Sequence, residues 1–212
     1  MMLNACQVEN NEGTKSFDYT VEQFADLQLL RYKVPGFDEL SLQQKKLVYY
    51  LSEAALHGRD ILFDQNGKYN LTIRKMLETV YTDYSGNRSD ADFVNLEIYL
   101  KRVWFSNGIH HHYAADKFVP GFSSEFFRKA LQSFDVNKLP LSEGQTLDEL
   151  CDEVFPIIFN PEVMSKRVNQ SDGEDLVLTS ASNYYRGVTQ AEAEEFYNRM
   201  KNPNDSMPVM FG

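Results

Sequence analysis

Apolar residues recur every three or four positions along most of this chain, and this spacing predicts a mainly helical protein. After Ser89, for example, Phe93, Leu96 and Leu100 fall on one helical face. Turn-forming or proline-containing stretches separate the periodic segments. The predicted helices cover residues 20–34, 41–66, 70–81, 89–104, 123–131, 146–155 and 189–201.

Several of these helices begin with a hydroxyl residue followed three positions later by Gln or Glu, a capping-box pattern. The pairs are Ser41 with Gln44, Thr146 with Glu149, and Thr189 with Glu192. Pro156 lacks an N–H group and is predicted to interrupt the helix that starts after Thr146. Residues 175–185, DLVLTSASNYY, contain β-branched residues and partly alternate, so at most a short strand or extended arm is predicted there.

The chain is long enough to bury a sizeable core, because it has 212 residues of which 42% are hydrophobic. We predict a mainly helical domain over residues 17–212 and a disordered tail or tether over residues 1–16. No window approaches 18 uninterrupted apolar residues, so no transmembrane span is predicted.

Cys6 and Cys151 are the two cysteines, and they form neither a disulfide framework nor a CxxC zinc pair. The segment Leu3 to Cys6 reads like the end of a bacterial lipoprotein signal, which would make Cys6 a lipidation site. A signal needs roughly 7–15 apolar residues before its cleavage site, and residues 1–5 do not supply them. Two interpretations stay open: the remnant of a lost signal, or a chance match in a disordered tail.

The charge balance argues against a nucleic-acid surface. The net charge is −10 and the isoelectric point is about 4.9, whereas phosphate binding draws on clustered Lys and Arg. Short peptides are the predicted partners, and a membrane is a predicted partner only through a lipid on Cys6.

The stretch from Trp104 to Pro120 carries three of the four histidines, His110, His111 and His112. In an extended segment successive side chains alternate in direction, so at most two neighbouring histidines could share a metal, and no further ligands are evident. Imidazoles and a tyrosine hydroxyl could instead bond a peptide backbone, with a glycine permitting close approach. Metal site, polar ligand site and solvated loop therefore remain three readings.

Other catalytic signatures are absent from the sequence. It contains no HExxH, Walker A, GxGxxG or GxSxG motif, and no catalytic or metal-binding residue is predicted. His57, the fourth histidine, is predicted to be packed in a helix.

Three blocks of the sequence resemble the N-terminal portion of dipeptidyl peptidase III, particularly its bacteroidete-type members. They are SEAALHGRDILF at 52–63, SNGIHHHYAADKFVPGF at 106–122, and NYYRGVTQAEAEEFYNRM at 183–200. The resemblance extends from about residue 17 onward, and its most specific part is the block from Asn107 to Pro120.

The resemblance implies a two-lobed zinc exopeptidase that removes dipeptides from peptide N-termini. In that family an HExxGH motif in a helical upper lobe holds the zinc, and this sequence contains no such motif. The chain is then the helical N-terminal part of the lower lobe, truncated at its C-terminus, and needs no cofactor of its own. Its expected partner is the missing C-terminal catalytic lobe.

The resemblance also implies that the loop before KFVP lines the subsites for the N-terminal end of the peptide. Tyr113 would be an aromatic wall and His112 a hydrogen-bonding partner. The neighbouring predicted substrate-binding residues are Asn107, Gly108, His110 and His111, whereas Lys117 and Phe118 are expected to fix the loop.

A second function class is open beside the enzyme fragment. The chain could be a non-catalytic helical peptide-binding module or a surface lipoprotein. A bacterial periplasmic or membrane-anchored location is expected if Cys6 is a signal remnant, and a cytoplasmic one otherwise. The apolar ending at residues 210–212 and the missing signal core favour the fragment interpretation.

Overall fold

A computed structural model describes residues 17–201. The predicted tail over residues 1–16, the lipidation of Cys6 and the apolar ending at residues 210–212 therefore lie outside the described residues. The described residues divide into two compact units between Lys45 and Lys46.

The first unit contains a two-stranded antiparallel sheet, which corrects the helix predicted over residues 20–34. Strand β1 covers Thr20–Phe24, strand β2 covers Leu27–Leu30, and the strands pair across a tight turn. Ala25 occupies the turn with a positive φ of 48°. The prediction failed because two strands folded back on each other can also show apolar residues three positions apart. The apolar spacing alone therefore did not distinguish a β-hairpin from a helix.

The rest of the described chain is helical, which confirms the mainly α prediction. After a short 3₁₀ turn at Phe37–Glu39, eight helices follow in chain order. They are α1 Leu42–His57, α2 Arg59–Asn66, α3 Asn70–Asp83, α4 Ala91–Ser106, α5 Ser124–Gln132, α6 Leu147–Phe159, α7 Leu176–Thr179 and α8 Gln190–Met200.

The capping signals of the sequence recur in the structure. The Thr146–Glu149 and Thr189–Glu192 pairs each form a reciprocal capping box. The helix predicted from Ser89 has Asp90 as its N-cap instead, one residue later, and the Asp90 carboxylate accepts a bond from a first-turn N–H.

Two predicted helix boundaries are wrong. The single helix expected over residues 41–66 is two helices, α1 and α2, that meet at Gly58. Pro156 lies inside α6, and the helix continues past it to Phe159, so the predicted interruption does not occur.

Residues 175–185, where at most a short strand or extended arm is predicted, form no strand, although the backbone is extended at Ser180. Leu176–Thr179 forms one helical turn, and the Asp175 carboxylate accepts bonds from the N–H groups of Val177 and Leu178, both at 2.9 Å. This local cap outweighs the β-propensity of the apolar residues that follow it.

The core of the second unit lies among α3, α4, α5 and α6. Its side chains are fully buried, and aromatic rings fill the space between α5 and α6. Among the largest of them are Ile73, Met76, Leu96, Leu100, Phe127 and Ile158. Among the described residues, no helix combines the length and the apolar character that crossing a membrane would need.

Candidate functional site

The predicted site begins where α4 ends. Asn107 adopts a left-handed conformation, with φ 53° and ψ 43°, and closes the helix as its C-cap. Asparagine tolerates this conformation better than most residues do. The Asn107 carbonyl accepts a 3.0 Å bond from the side-chain amide of Asn66, which ties the start of the loop to the end of α2.

Asn70 anchors the next turn of the loop from inside the protein. Its side chain is buried, donates to the Phe63 carbonyl at 3.2 Å and accepts from the Ile109 N–H at 3.3 Å. Gly108 passes so close that a Cβ atom there would lie 2.4 Å from the Asn70 amide nitrogen. Gly108 also has a φ of +152°, so only glycine meets both requirements. Gly108 therefore shapes the loop from a buried position.

His110 is buried and holds the loop in place through a hydrogen bond. It is 2% exposed, and its Nε2 donates to the Met164 carbonyl over 2.7 Å. Because a carbonyl only accepts, this bond assigns the proton to Nε2, and Nδ1 is left buried without a partner. Burial lowers the pKa of His110 to about 4, and the positive charges of Lys117 and Arg167 add to this. His110 is neutral near pH 7.

His111 folds the loop back on itself. Its Nδ1 accepts bonds from the backbone N–H groups of Tyr113 and Ala114, at 3.2 and 3.0 Å. Its carbonyl accepts from the N–H of Ala115 at 3.1 Å. One nitrogen of His111 is thus committed to the turn that presents the next residues.

His112 and Tyr113 form the outward part of the loop together with Phe105. The His112 ring stacks on His111 at a centroid distance of 4.6 Å and meets the edge of Phe105 at 5.0 Å. Tyr113 is 86% exposed, with its ring centroid 4.3 Å from that of His112. Burial, and then the nearby His111 and Arg167, lower the pKa of His112. We call Phe105, His112 and Tyr113 the aromatic patch.

A second segment, residues 163–167, fastens the loop from the other flank. The Lys117 N–H donates to the Ser165 carbonyl at 3.1 Å, and the Arg167 N–H donates to the Ala115 carbonyl at 2.8 Å. An Arg167 guanidinium nitrogen, Nη2, also donates to the His112 carbonyl at 3.0 Å. The loop backbone therefore has partners on both sides.

Lys117 joins the loop to the end of α6. Its ammonium donates to the carbonyls of Ile157, Asn160 and Val163. A cation at this position also interacts favourably with the helix dipole. Lys117 and the buried ring of Phe118 thus hold the loop through backbone carbonyls and packing. Burial lowers the pKa of Lys117, and the nearby Glu162 carboxylate opposes this effect.

The structure divides the six predicted substrate-binding residues into two groups. Gly108 and His110 are buried and support the loop, whereas Asn107 caps α4 and His111 holds the turn. Only the side chains of His112 and Tyr113 join the aromatic patch. A substrate role for any of the six is still a prediction.

Sequence reasoning missed the residues that support this loop from a distance. Asn70, Met164 and Arg167 lie 38 or more positions from His110 or its neighbours in the chain. Only the Asn-Gly pair at 107–108 carried a local signal, since it favours a left-handed turn. His57 is exposed, which corrects its predicted packing within a helix.

The loop does not fit a zinc ion. Within residues 17–201 no three His, Cys, Asp or Glu side chains are grouped so as to hold a metal. The Nε2 of His110 donates to the Met164 carbonyl, and the Nδ1 of His111 accepts from two backbone N–H groups.

An open groove of about 750 Å³ lies near the start of the loop without including it. Residues of α3 between Lys75 and Asp83, Trp104, and residues 138–140 line the groove. The Trp104 indole N–H donates to the Glu78 carboxylate at 2.7 Å across its wall.

Comparison of the sequence with models of known protein families gives no match, and a search of curated proteins gives no significant match. The resemblance to dipeptidyl peptidase III accordingly rests on the three sequence blocks alone, and what it implies for function is a proposal.

Proposed function

We propose that this chain is the substrate-cleft-lining N-terminal part of a zinc-dependent dipeptidyl peptidase, and that its aromatic patch binds the N-terminal end of a peptide. The observation that carries the proposal is the 86% exposure of Tyr113 on a loop whose backbone is bonded on both flanks. Tyrosine offers a large apolar ring and a hydroxyl that can donate or accept.

Preorganisation supports this function. Binding costs less when the binding groups are already held in place, because less freedom is lost on association. The turn at His111, the buried bond of His110 and the Asn70 anchor hold the loop before any ligand arrives. A solvated loop without a binding role does not require so many buried polar contacts.

Neutral imidazoles suit the same role. The lowered pKa of His112 favours the neutral ring near pH 7. Its Nδ1 is buried without a hydrogen-bond partner, so the Nε2 edge is the part of the ring that is left to bond a peptide backbone.

Peptide binding can be tested on this chain by titrating it with an unblocked tripeptide and recording backbone amide NMR shifts. We expect saturable shifts at residues 105–115, and Tyr113→Ala should weaken binding by about fivefold or more, since a large ring contact is lost. Tyr32→Ala is the matched control, because Tyr32 is 72% exposed and lies in the first unit. Equal affinity in both variants, or shifts elsewhere in the chain, would contradict the proposal.

Catalysis is tested separately by zinc analysis and a dipeptidyl-arylamide assay on the same protein. The sequence has no HExxGH motif, so we expect no stoichiometric zinc and no turnover. A source gene that continues in frame into an HExxGH segment would support the peptidase fragment. A stop codon directly after residue 212, with peptide binding retained, would favour the non-catalytic binding module.

A further inference from the structure

The loop between α4 and α5, residues 107–123, which we call the histidine loop, is associated with three cationic side chains, although the whole chain carries a net charge of −10. Lys117 belongs to this loop, and Lys166 and Arg167 bond to it. Lys166 is neutralised by the carboxylate of Asp116. Lys117 is surrounded by carbonyl oxygens at the end of α6, where the helix dipole favours a cation.

Of these three cations, Arg167 is the one to which the described residues offer neither a carboxylate nor the end of a helix. Its guanidinium donates to two neutral acceptors, the His112 carbonyl at 3.0 Å and the Asn66 side-chain oxygen at 3.4 Å. Its Nε is buried and has no partner. A guanidinium has five N–H donors, so Nη1 and Nη2 each keep one N–H that bonds no described protein atom.

The ligand chemistry that fits Arg167 is a carboxylate. A carboxylate accepts two parallel bonds from the planar guanidinium and balances its charge. Burial is the main cause of the lowered pKa of His110 and His112, and the positive charge of Arg167 adds to it. The same positive potential disfavours a lysine or arginine side chain at this place.

Arg167 also lies beside the proposed peptide site. Its Nη2 is bonded to the carbonyl of His112, and the next residue in the chain is the exposed Tyr113. A peptide that packs on Tyr113 brings its own side chains near this guanidinium.

We propose that Arg167 determines specificity at the aromatic patch by selecting peptides that carry an acidic side chain near their N-terminal end. The inference rests on the proposed peptide-binding function and adds the class of ligand. Arg167 acts through charge and a paired hydrogen bond, and Tyr113 supplies the apolar contact.

The test compares two tripeptides that differ only by Glu in place of Gln, titrated into the wild-type chain by calorimetry. We expect the Glu peptide to bind about three- to tenfold more tightly at low salt, the range of a partly exposed charge pair. The preference should shrink at high salt, because screening weakens exposed charge interactions. Equal affinities at low salt would overturn the inference and leave the proposed function standing.

Two variants separate charge recognition from loop support. Arg167→Gln should abolish the preference for the Glu peptide, whereas Arg167→Lys should keep part of it because the charge remains. A merely structural role would weaken both peptides equally in both variants. Arg186→Gln, at an exposed arginine, changes the net charge identically and should leave the preference intact.

A third measurement covers the case in which neither peptide binds, which would contradict the proposed function. Sodium acetate is then titrated into the wild-type chain while the NMR signal of the Arg167 Nε–H is followed, with sodium chloride as the control salt. A saturable shift with acetate alone supports a carboxylate site at Arg167. No such shift would overturn the inference as well.

Discussion

Helices α1 and α4 have the same length, 16 residues, and both are rich in large apolar side chains, yet their surroundings differ completely. In α4 six residues are buried, and the helix packs against α3 in the core. In α1 no residue is buried, and Leu47, Tyr50 and Leu51 are 58–67% exposed. The buried residues of α4 are Phe93, Leu96, Tyr99, Leu100, Val103 and Ser106.

The contrast shows that apolar content does not by itself place a helix in a core. The apolar residues of α4 meet a facing helix with matching apolar residues, whereas those of α1 point to several sides. In α1 polar residues such as Gln43, Lys46 and Glu53 stand among the apolar ones, and its large apolar side chains are all exposed. Short helices without tertiary packing are marginal in water, and α1 is expected to be the weaker element.

The largest expected effect comes from truncating one leucine in each helix. Leu100→Ala should lower the free energy of unfolding by about 2–5 kcal/mol, because it leaves a cavity in a fully buried site. Leu51→Ala, at a site 60% exposed, should change it by less than about 0.5 kcal/mol. Urea unfolding followed by circular dichroism measures both. Equal losses would show that α1 is packed in solution.

Acid should weaken the loop that follows α4 and spare α1. His110 has a folded pKa of about 4, below the ordinary 6.5, so the folded protein binds fewer protons than the unfolded chain between these values. The stabilisation from neutral His110 is therefore present above pH 6.5 and is lost as the pH falls toward 4. The expected loss is on the order of 3 kcal/mol, from the free energy per pKa unit.

Urea midpoints between pH 4 and 7 measure this loss. His110→Gln should flatten the pH dependence, because the residue that must charge is gone and an amide can still donate to Met164. His57→Gln is the control, since His57 is exposed on α1, and should leave the dependence unchanged. A wild-type slope that survives His110→Gln would refute the assignment to His110.

Gly108 tests how tightly the loop is tied to the core. Gly108→Ala should cost about 1–3 kcal/mol, because it combines an unfavourable φ with a Cβ atom 2.4 Å from the Asn70 amide. Gly187→Ala isolates the backbone part, since φ is +72° there but no atom lies within 4 Å of the added carbon. Thermal unfolding should show a larger loss of stability for Gly108→Ala than for Gly187→Ala. The reverse order would mean that the Asn70 side chain moves away from the added Cβ atom at little cost.

The smallest predicted effect is a gain in stability at the junction of α1 and α2. Gly58 has helical angles, φ −78° and ψ −7°, and an added Cβ atom would meet only the Ala55 carbonyl at 3.5 Å. Gly58→Ala should therefore stabilise the protein by about 0.4–1 kcal/mol by restricting the unfolded chain. Increased helicity by circular dichroism should accompany the gain, and a loss of helicity would indicate that the break at Gly58 is required.

The helical segments could be predicted where local signals agree. The capping pairs at Thr146 and Thr189 lie beside apolar residues at helical spacing, and both helices form as expected. The hairpin at residues 20–30 could not be predicted, because its apolar spacing fits a helix equally well. The turn Leu176–Thr179 depends on a hydrogen bond that the Asp175 carboxylate accepts from the Val177 N–H, and this local bond competes with β-propensity.

In the candidate site, too, local features could be predicted from the sequence and features that depend on distant residues could not. The sequence singled out the histidine loop and the Asn-Gly turn, both of which are local features. It could not assign different roles to His110, His111 and His112, which are identical side chains next to one another. Their roles follow from partners such as Met164 and from burial, which depend on distant parts of the chain.

The sequence by itself determined the helical character, most helix starts, the charge balance and the position of the histidine loop. These properties depend on composition and on neighbours within a few positions. Only the tertiary structure decided that α4 is buried while α1 is exposed, that His110 is inside while Tyr113 is outside, and that Arg167 lies beside His112. Burial and long-range hydrogen bonds join residues far apart in the chain, and a local pattern carries no record of them.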